Sequence, residues 1–182
     1  MILRGGDIEL ELTPRGGCVA ALTWRGIDVL RRGAADAEAL QQGAFPMAPF
    51  SGRIGSGRFV FAGRQIELPK NFPPEPHAIH GFSWTATWSS AAISERSQRL
   101  THDYDGADWP WPYRAEQVFS LIEDGLELSL SLQNSSADEM PAGFGWHPYF
   151  PSDGAEIEAD VREIWPSGDS MIPAEPELLS AP

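Results

Sequence analysis

Short runs in which polar and apolar residues alternate, separated by turn-forming residues, constrain the fold of this chain more than any other feature. Residues 7–13 read DIELELT, and residues 57–68 read GRFVFAGRQIEL, with Ala62-Gly63 between two alternating runs. A period of two predicts strands buried on one face, and the glycine-containing break predicts a β-hairpin. Another strand is predicted over residues 155–165. We therefore predict an all-β fold, an antiparallel sandwich or barrel-like arrangement of roughly ten short strands.

The composition supports a folded domain. Of the 182 residues, 42% are hydrophobic and 10% are aromatic, so the chain can bury a core. Its 18 glycines and 16 prolines follow no fixed period, which fits many tight turns between strands. We expect residues 1–182 to form a single β-sandwich domain or the N-terminal part of one.

The net charge of the chain narrows the classes of partner that it is expected to bind. A formal net charge of −13 would repel nucleic acid phosphates and anionic membrane surfaces. The single cysteine, Cys18, cannot form an intrachain disulfide, and the start MILRGGDIELEL lacks the features of a secretory signal. No window approaches the roughly 18 apolar residues of a membrane span. We therefore expect a cytoplasmic protein with no nucleic acid or membrane partner.

Arg53 lies in the glycine-rich segment PFSGRIGSGRF, residues 49–59. At a bend before a hairpin, its guanidinium could reach a pocket floor and donate several hydrogen bonds to ligand oxygens. The alternative is an ordinary surface arginine in a turn. A phosphate-binding loop is disfavoured, because the GxxxxGK[ST] pattern is absent and no helix follows.

Two histidines, His77 and His80, lie three residues apart in NFPPEPHAIHGF, residues 71–82. The prolines of this segment predict an ordered loop, where the spacing does not place both rings on one helix face as metal ligands. His80, which precedes Gly81, could instead bind a polar ligand. His102, in LTHDYDG, is expected to be a surface residue at a strand end.

The fourth histidine, His147, lies in the aromatic segment GWHPYF, residues 145–150. Pro148 restricts His147 to extended backbone, and the neighbouring aromatic side chains disfavour the charged imidazolium. A partly buried imidazole of this kind can carry a proton. The segment alone is equally compatible with a packed structural histidine.

Two tryptophans, Trp109 and Trp111, lie in the proline-spaced loop YDGADWPWPY, residues 104–113. If exposed, their rings could stack on a sugar. They could equally cap the end of a sandwich, and their spacing does not distinguish the two arrangements.

Taken in order, several segments resemble the aldose 1-epimerase (galactose mutarotase) family. They are LTPRGGCVAALTWRGIDVL, PFSGRIGSGRFVFAGRQIELPKN, HAIHGF and GWHPYF. The resemblance spans nearly all of the chain and implies an antiparallel β-sandwich of the galactose mutarotase-like type. It also implies interconversion of the α and β anomers of a free aldose, with no metal or organic cofactor.

The resemblance assigns roles to three residues. His147 matches the family histidine that acts as general acid at the ring oxygen of the sugar. His80 matches the histidine that binds the sugar near the same oxygen, and Arg53 matches the substrate-binding arginine. Gly52 stands where the family usually has asparagine, which implies one sugar-contacting amide fewer.

The family's catalytic base is a glutamate near the end of a considerably longer chain. Neither Glu175 nor Glu177 is assigned to that role, so we expect either a fragment whose missing part completes the sandwich, which we favour, or a shortened relative that keeps a sugar pocket without efficient epimerisation. A shortened sheet would have unpaired edges through which homo-oligomers could form. A non-catalytic carbohydrate-binding or sugar-sensing module is the alternative function. A sugar-phosphate epimerase and a cupin-like metal enzyme are further alternatives.

Overall fold

The structure is a computed structural model that describes residues 1–34 and 36–178. The chain divides into two compact units. The first contains residues 1–52 and 80–151, and the second contains residues 53–79 and those from 152 onward. The prediction of a single domain stays a prediction.

Strands dominate both units. In chain order they are β1 (Ile2–Gly5), β2 (Ile8–Thr13), β3 (Cys18–Trp24), β4 (Ile27–Asp28), β5 (Ala44–Met47), β6 (Arg53–Ile54), β7 (Arg58–Phe61), β8 (Arg64–Glu67), β9 (Ala78–Ile79), β10 (Ser89–Ser94), β11 (Ser97–Tyr104), β12 (Tyr113–Leu121), β13 (Leu126–Asn134), β14 (Gly145–Pro148), β15 (Glu163–Ile164) and β16 (Glu177–Leu178). Three single turns of 3-10 helix span Ala39–Gln41, Gly55–Gly57 and Ser83–Thr85. Within the described ranges, no helix is long and apolar enough to cross a membrane.

One antiparallel sheet of the first unit has the strand order β1-β2-β3-β5-β14, with β4 paired to β3. The predicted alternation is confirmed in β2, where Ile8, Leu10 and Leu12 are buried. In β3 the residues from Cys18 to Ala21 are all buried, because small and β-branched side chains pack on both faces. This sheet brings β14 beside β5 and so determines the surroundings of His147.

The other sheet of the first unit has the order β10-β11-β12-β13 and is also antiparallel. Alternate residues of β12 are buried from Tyr113 to Leu121. The leucines of β13 are only half-buried. An apolar cavity of about 480 Å³ is lined by Ile8 and Leu22 from one sheet and by Leu126 and Leu128 from the other. The predicted all-β, antiparallel architecture is confirmed.

In the second unit, β7 and β8 form the predicted hairpin, with register pairs from Arg58–Glu67 to Phe61–Arg64. Ala62 and Gly63 both have positive φ, 49° and 74°, as a two-residue turn of type I′ requires. The strand predicted over residues 155–165 is largely wrong. Only Glu163–Ile164 forms a strand, and Ile157 is 95% exposed, so the alternating apolar residues have no core to face.

Candidate active site

His147 lies in β14, directly opposite Phe45 of the neighbouring strand β5. The imidazole stacks on the Phe45 ring, with centroids 4.7 Å apart and planes at 15°. The Tyr149 ring also packs against the imidazole, at 4.7 Å between centroids. Pro148 follows in extended backbone, which is tolerated because β14 is the terminal strand in the described order of its sheet. Strand pairing and aromatic packing thus define the orientation of His147.

His80 lies beside His147, with ring centroids 5.4 Å apart and planes at 76°. His80 also makes edge contacts with Phe45 and Trp84, at 5.8 and 6.4 Å between centroids. The structure therefore brings together two of the three residues to which the sequence assigned roles.

The backbone around His80 is unusual and explains how the ring is held. His80 has φ +57° and Gly81 has φ +70°. A Cβ at position 81 would lie 2.0 Å from the carbonyl oxygen of Ala48, so only glycine fits. The backbone N–H of His80 donates to the carbonyl of Gly52, at 2.9 Å, and the N–H of Gly52 donates to Nδ1 of His80, at 3.2 Å. A neutral His80 ring therefore carries its proton on Nε2.

The protonation of His147 is shifted by its surroundings. Burial of the ring lowers its pKa below the usual 6.5; its own backbone raises it, and the positive charge of Arg31 lowers it again. Its Nδ1 is buried without a hydrogen-bond partner from another described residue. At pH 7 the neutral ring predominates, in the direction that the aromatic neighbours led us to expect. Once formed, the imidazolium is a stronger acid than that of an ordinary histidine.

Arg31 and Phe45 contribute to this cluster although the sequence analysis did not single them out. The guanidinium carbon of Arg31 lies 3.9 Å from the centroid of the Tyr149 ring. Its Nη2 donates to the carbonyl oxygens of Leu40 and Gln42, at 2.6 and 2.7 Å. The aromatic segment around His147 was a signal for Tyr149. No local pattern marked Arg31, because its partners lie in other segments.

Arg53 belongs to the second unit. It opens β6, where it pairs with Ile79 of β9. Its Nε and Nη2 both lie 3.1 Å from Oε2 of Glu75, and the two side chains are 23% and 14% exposed. Arg53 is therefore neither isolated nor fully exposed, unlike a surface arginine in a turn. Its role in substrate binding stays a prediction.

His77, in the second unit, has both ring nitrogens engaged. Its Nδ1 accepts from the N–H of Ser56, at 2.9 Å, and its Nε2 lies 2.7 Å from the carbonyl oxygen of Ser170. The carbonyl can only accept, so Nε2 donates. Among residues 1–34 and 36–178, no group of three or more His, Cys, Asp or Glu side chains is arranged to hold a metal ion. His77 thus has the contacts of a structural histidine.

His102 differs from its prediction as a surface residue. It lies in β11, half-buried, where its ring contacts Trp88, Tyr104 and Tyr113. Its Nε2 is buried without a hydrogen-bond partner among the described residues, and burial lowers its pKa. The alternating pattern of β11 places this histidine on the apolar face of the strand.

Trp109 and Trp111 are buried, at 2% and 3% exposure, and their ring centroids are 5.2 Å apart. Trp109 also packs against Phe50, at 5.7 Å. They therefore belong to the core of the first unit. Of the two arrangements that the sequence left open, this is the one in which the rings are packed and not exposed. Neither offers a ring face to a sugar.

Comparison with known proteins supports the resemblance. The aldose 1-epimerase family model matches residues 2–180. The uncharacterised protein YphB of Escherichia coli K12 is 32% identical over 175 residues, which cover 95% of this chain and 59% of YphB. A second uncharacterised E. coli protein, YihR, is 26% identical over 164 residues, covering 89% of this chain and 53% of YihR.

Solved structures share the fold. A protein of E. coli K12 named provisionally as an aldose 1-epimerase has a TM-score of 0.92 and 30% identity, covering 99% of this chain and 62% of its own. A galactose mutarotase-like protein of Clostridium acetobutylicum has a TM-score of 0.82 at 20% identity, covering 99% of this chain and 61% of its own. The predicted galactose mutarotase-like fold is thereby confirmed.

The chain spans 59% and 53% of the lengths of the two curated relatives. These matches do not bear out the predicted truncation, which stays a prediction. Since the family model covers residues 2–180, the chain belongs to the aldose 1-epimerase family.

Proposed function

We propose that this protein binds a free aldose and interconverts its α and β anomers by acid–base ring opening. The observation that carries the proposal is the pair of imidazoles, His80 and His147, with centroids 5.4 Å apart in a partly buried aromatic cluster. Family membership supports a sugar as the substrate class. The pair places the proposed proton donor, His147, beside a second imidazole that can hold the sugar near its ring oxygen.

In the proposed reaction, protonated His147 donates to the ring oxygen of the sugar while a base removes the proton of the C1 hydroxyl. The C1–O5 bond breaks, giving an open-chain aldehyde. Rotation about C1–C2 exposes the other face of the carbonyl to the C5 hydroxyl, and the reverse proton transfers close the ring. No bond to the protein forms, and the protein ends each cycle in its original protonation state.

The lowered pKa of His147 suits a proton donor in one respect. A stronger acid transfers its proton to a weakly basic ring oxygen more readily, although a smaller fraction of molecules carries that proton at pH 7. Because Nδ1 of His80 accepts from the N–H of Gly52, the proton of its neutral ring is on Nε2. We assign His80 to binding the sugar near the same oxygen and Arg53 to binding substrate hydroxyls.

The base remains unassigned in this proposal. Among the residues that the structure describes, the charged group that shifts the pKa of His147 is Arg31, and no carboxylate contributes to that shift. The family resemblance predicts that a glutamate takes the C1 proton.

A reduced thiol at buried Cys18 and a free sugar as substrate both fit the proposed cytoplasmic setting.

Polarimetry of freshly dissolved α-glucose and α-galactose tests the proposal on the protein expressed from its complete reading frame. We expect equilibration of at least one sugar to be faster than in buffer alone. Equilibration of both sugars at the buffer rate would contradict the proposal for these substrates. Saturable binding measured by calorimetry, without any rate enhancement, would instead identify a carbohydrate-binding module.

A further inference from the structure

In the first unit, hydrogen bonds hold both the side chain and the backbone of Arg31. Its Nη2 donates to two carbonyl oxygens, those of Leu40 and Gln42, at 2.6 and 2.7 Å. Its backbone N–H donates to the carbonyl of Tyr149, at 2.7 Å, and the N–H of Tyr149 donates to Gly43, at 2.8 Å. These bonds tie Arg31 to the strand end that carries Tyr149, so the guanidinium has little freedom to move away.

The guanidinium extends a row of packed planar groups. It lies 3.9 Å from the Tyr149 centroid, Tyr149 lies 4.7 Å from His147, and His147 lies 4.7 Å from Phe45. A cation over a tyrosine face is attracted by the negative face of the ring. The Arg31 contact therefore stabilises the position of Tyr149, and Tyr149 in turn restricts the ring of His147.

The charge of Arg31 also lowers the pKa of His147, as a smaller cause than burial of the ring. Among the described residues, the charged and titratable groups that contact the ring or affect its charge are Arg31, from the segment after β4, His80, from the segment after β9, and Tyr149, which follows β14. Arg31 is always protonated, and its positive charge opposes a second positive charge on the imidazole. Its Nε is buried without a partner, so that charge is incompletely compensated by its two carbonyl contacts.

We propose that Arg31 is a positioning residue for proton transfer by His147: through Tyr149 it fixes the plane of the imidazole, and its positive charge opposes protonation of that ring. The role of Arg31 in proton transfer rests on the proposed function, the interconversion of sugar anomers. The effect on the His147 ring does not, since it concerns only groups in contact in this protein.

NMR titration separates the two parts. The C2–H resonances of the four histidines are followed against pH in the wild-type protein, Arg31→Gln and Arg31→Lys, with His147→Asn to assign the His147 signal. We expect Arg31→Gln to raise the pKa of His147 toward its ordinary value. Arg31→Lys keeps the charge, so the pKa should stay low, while the resonance position shifts because the planar contact with Tyr149 is lost.

Activity provides the second readout. In Arg31→Gln we expect kcat to fall by about 10-fold to 100-fold, as misplaced catalytic groups commonly cause, with KM nearly unchanged. The pH dependence of kcat should move in the same direction as the NMR titration. A merely structural role would lower thermal stability without moving either pH profile.

The outcomes are distinguishable. An unchanged His147 titration in folded Arg31→Gln would overturn the inference even if the wild-type protein is active. If Arg31→Gln does not fold, a folded Arg31→Lys in which His147 titrates like an ordinary histidine would overturn it. A shifted titration in a protein that does not interconvert anomers would support the electrostatic part and contradict the proposed function.

Discussion

Two histidines of this protein use the same side chain in opposite ways. His147 and the rings packed against it form the first cluster, and His77 and its backbone partners form the second. In the first unit, the Nδ1 of His147 is buried without a partner from another described residue, and its ring is contacted by other rings. In the second unit, both nitrogens of His77 are hydrogen-bonded to backbone groups. A histidine whose two nitrogens are occupied serves as a cross-link, whereas His147 is held mainly through the faces of its ring.

The largest expected effect comes from removing the proton carrier of the first cluster. His147→Asn should lower kcat by about 10²-fold to 10⁴-fold, the usual contribution of a positioned acid. Folding should be affected little, because the ring makes no hydrogen bond to another described side chain that would be left unpaired. Polarimetry gives the rate, and circular dichroism with thermal melting gives the fold.

His102→Asn is the matched control, because it makes the same change at another half-buried histidine with one ring nitrogen, here Nε2, that has no hydrogen-bond partner among the described residues. It should leave kcat near the wild-type value. Equal losses of activity in the two variants would mean that His147 has no special role as a proton carrier.

The second cluster should respond in stability. His77→Phe keeps a ring of similar shape but leaves the N–H of Ser56 and the carbonyl of Ser170 without their partner. We expect a loss of about 1–3 kcal/mol in the free energy of unfolding, the usual net contribution of two hydrogen bonds. Urea unfolding measures this loss. A normal stability together with lost activity would reverse the roles assigned to the two clusters.

The smallest effect is a dependence of stability on pH. The pKa values of His147 and His102 are lowered in the folded protein, mainly by burial. Between those values and the unfolded pKa of about 6.5, the unfolded chain binds more protons, so stability falls as pH decreases through this range and is complete above it. Thermal melting at several pH values should show a shallower decline in His147→Asn. An unchanged decline would mean that His147 does not contribute.

The sequence predicted the features that depend on neighbours along the chain. Alternation in DIELELT and the Ala62-Gly63 break led to β2 and the β7–β8 hairpin, because period and turn residues are local properties. The roles of His80 and His147 came from the family resemblance, and the structure adds that their rings are in contact. Alternation alone failed over residues 155–165, where a pattern without a core to face does not make a long strand.

Contacts between distant segments could not be predicted in this way. Arg31 approaches Tyr149 only because the segment before β5 and the end of β14 are joined by backbone hydrogen bonds. The burial of Trp109 and Trp111 likewise depends on how the chain folds over the loop. Exposure and long-range pairing are properties of the folded protein that residue types leave undetermined.

The close approach of Gly81 to Ala48 has a consequence for how this protein can vary. A single methyl group at position 81 would overlap the Ala48 oxygen at 2.0 Å, and the φ of +70° disfavours any side chain there as well. The loop that bears His80 can approach the end of β5 this closely only because residue 81 has no side chain. Mutational libraries that explore sugar preference can therefore diversify other positions around the imidazole pair, while codon 81 should be left untouched.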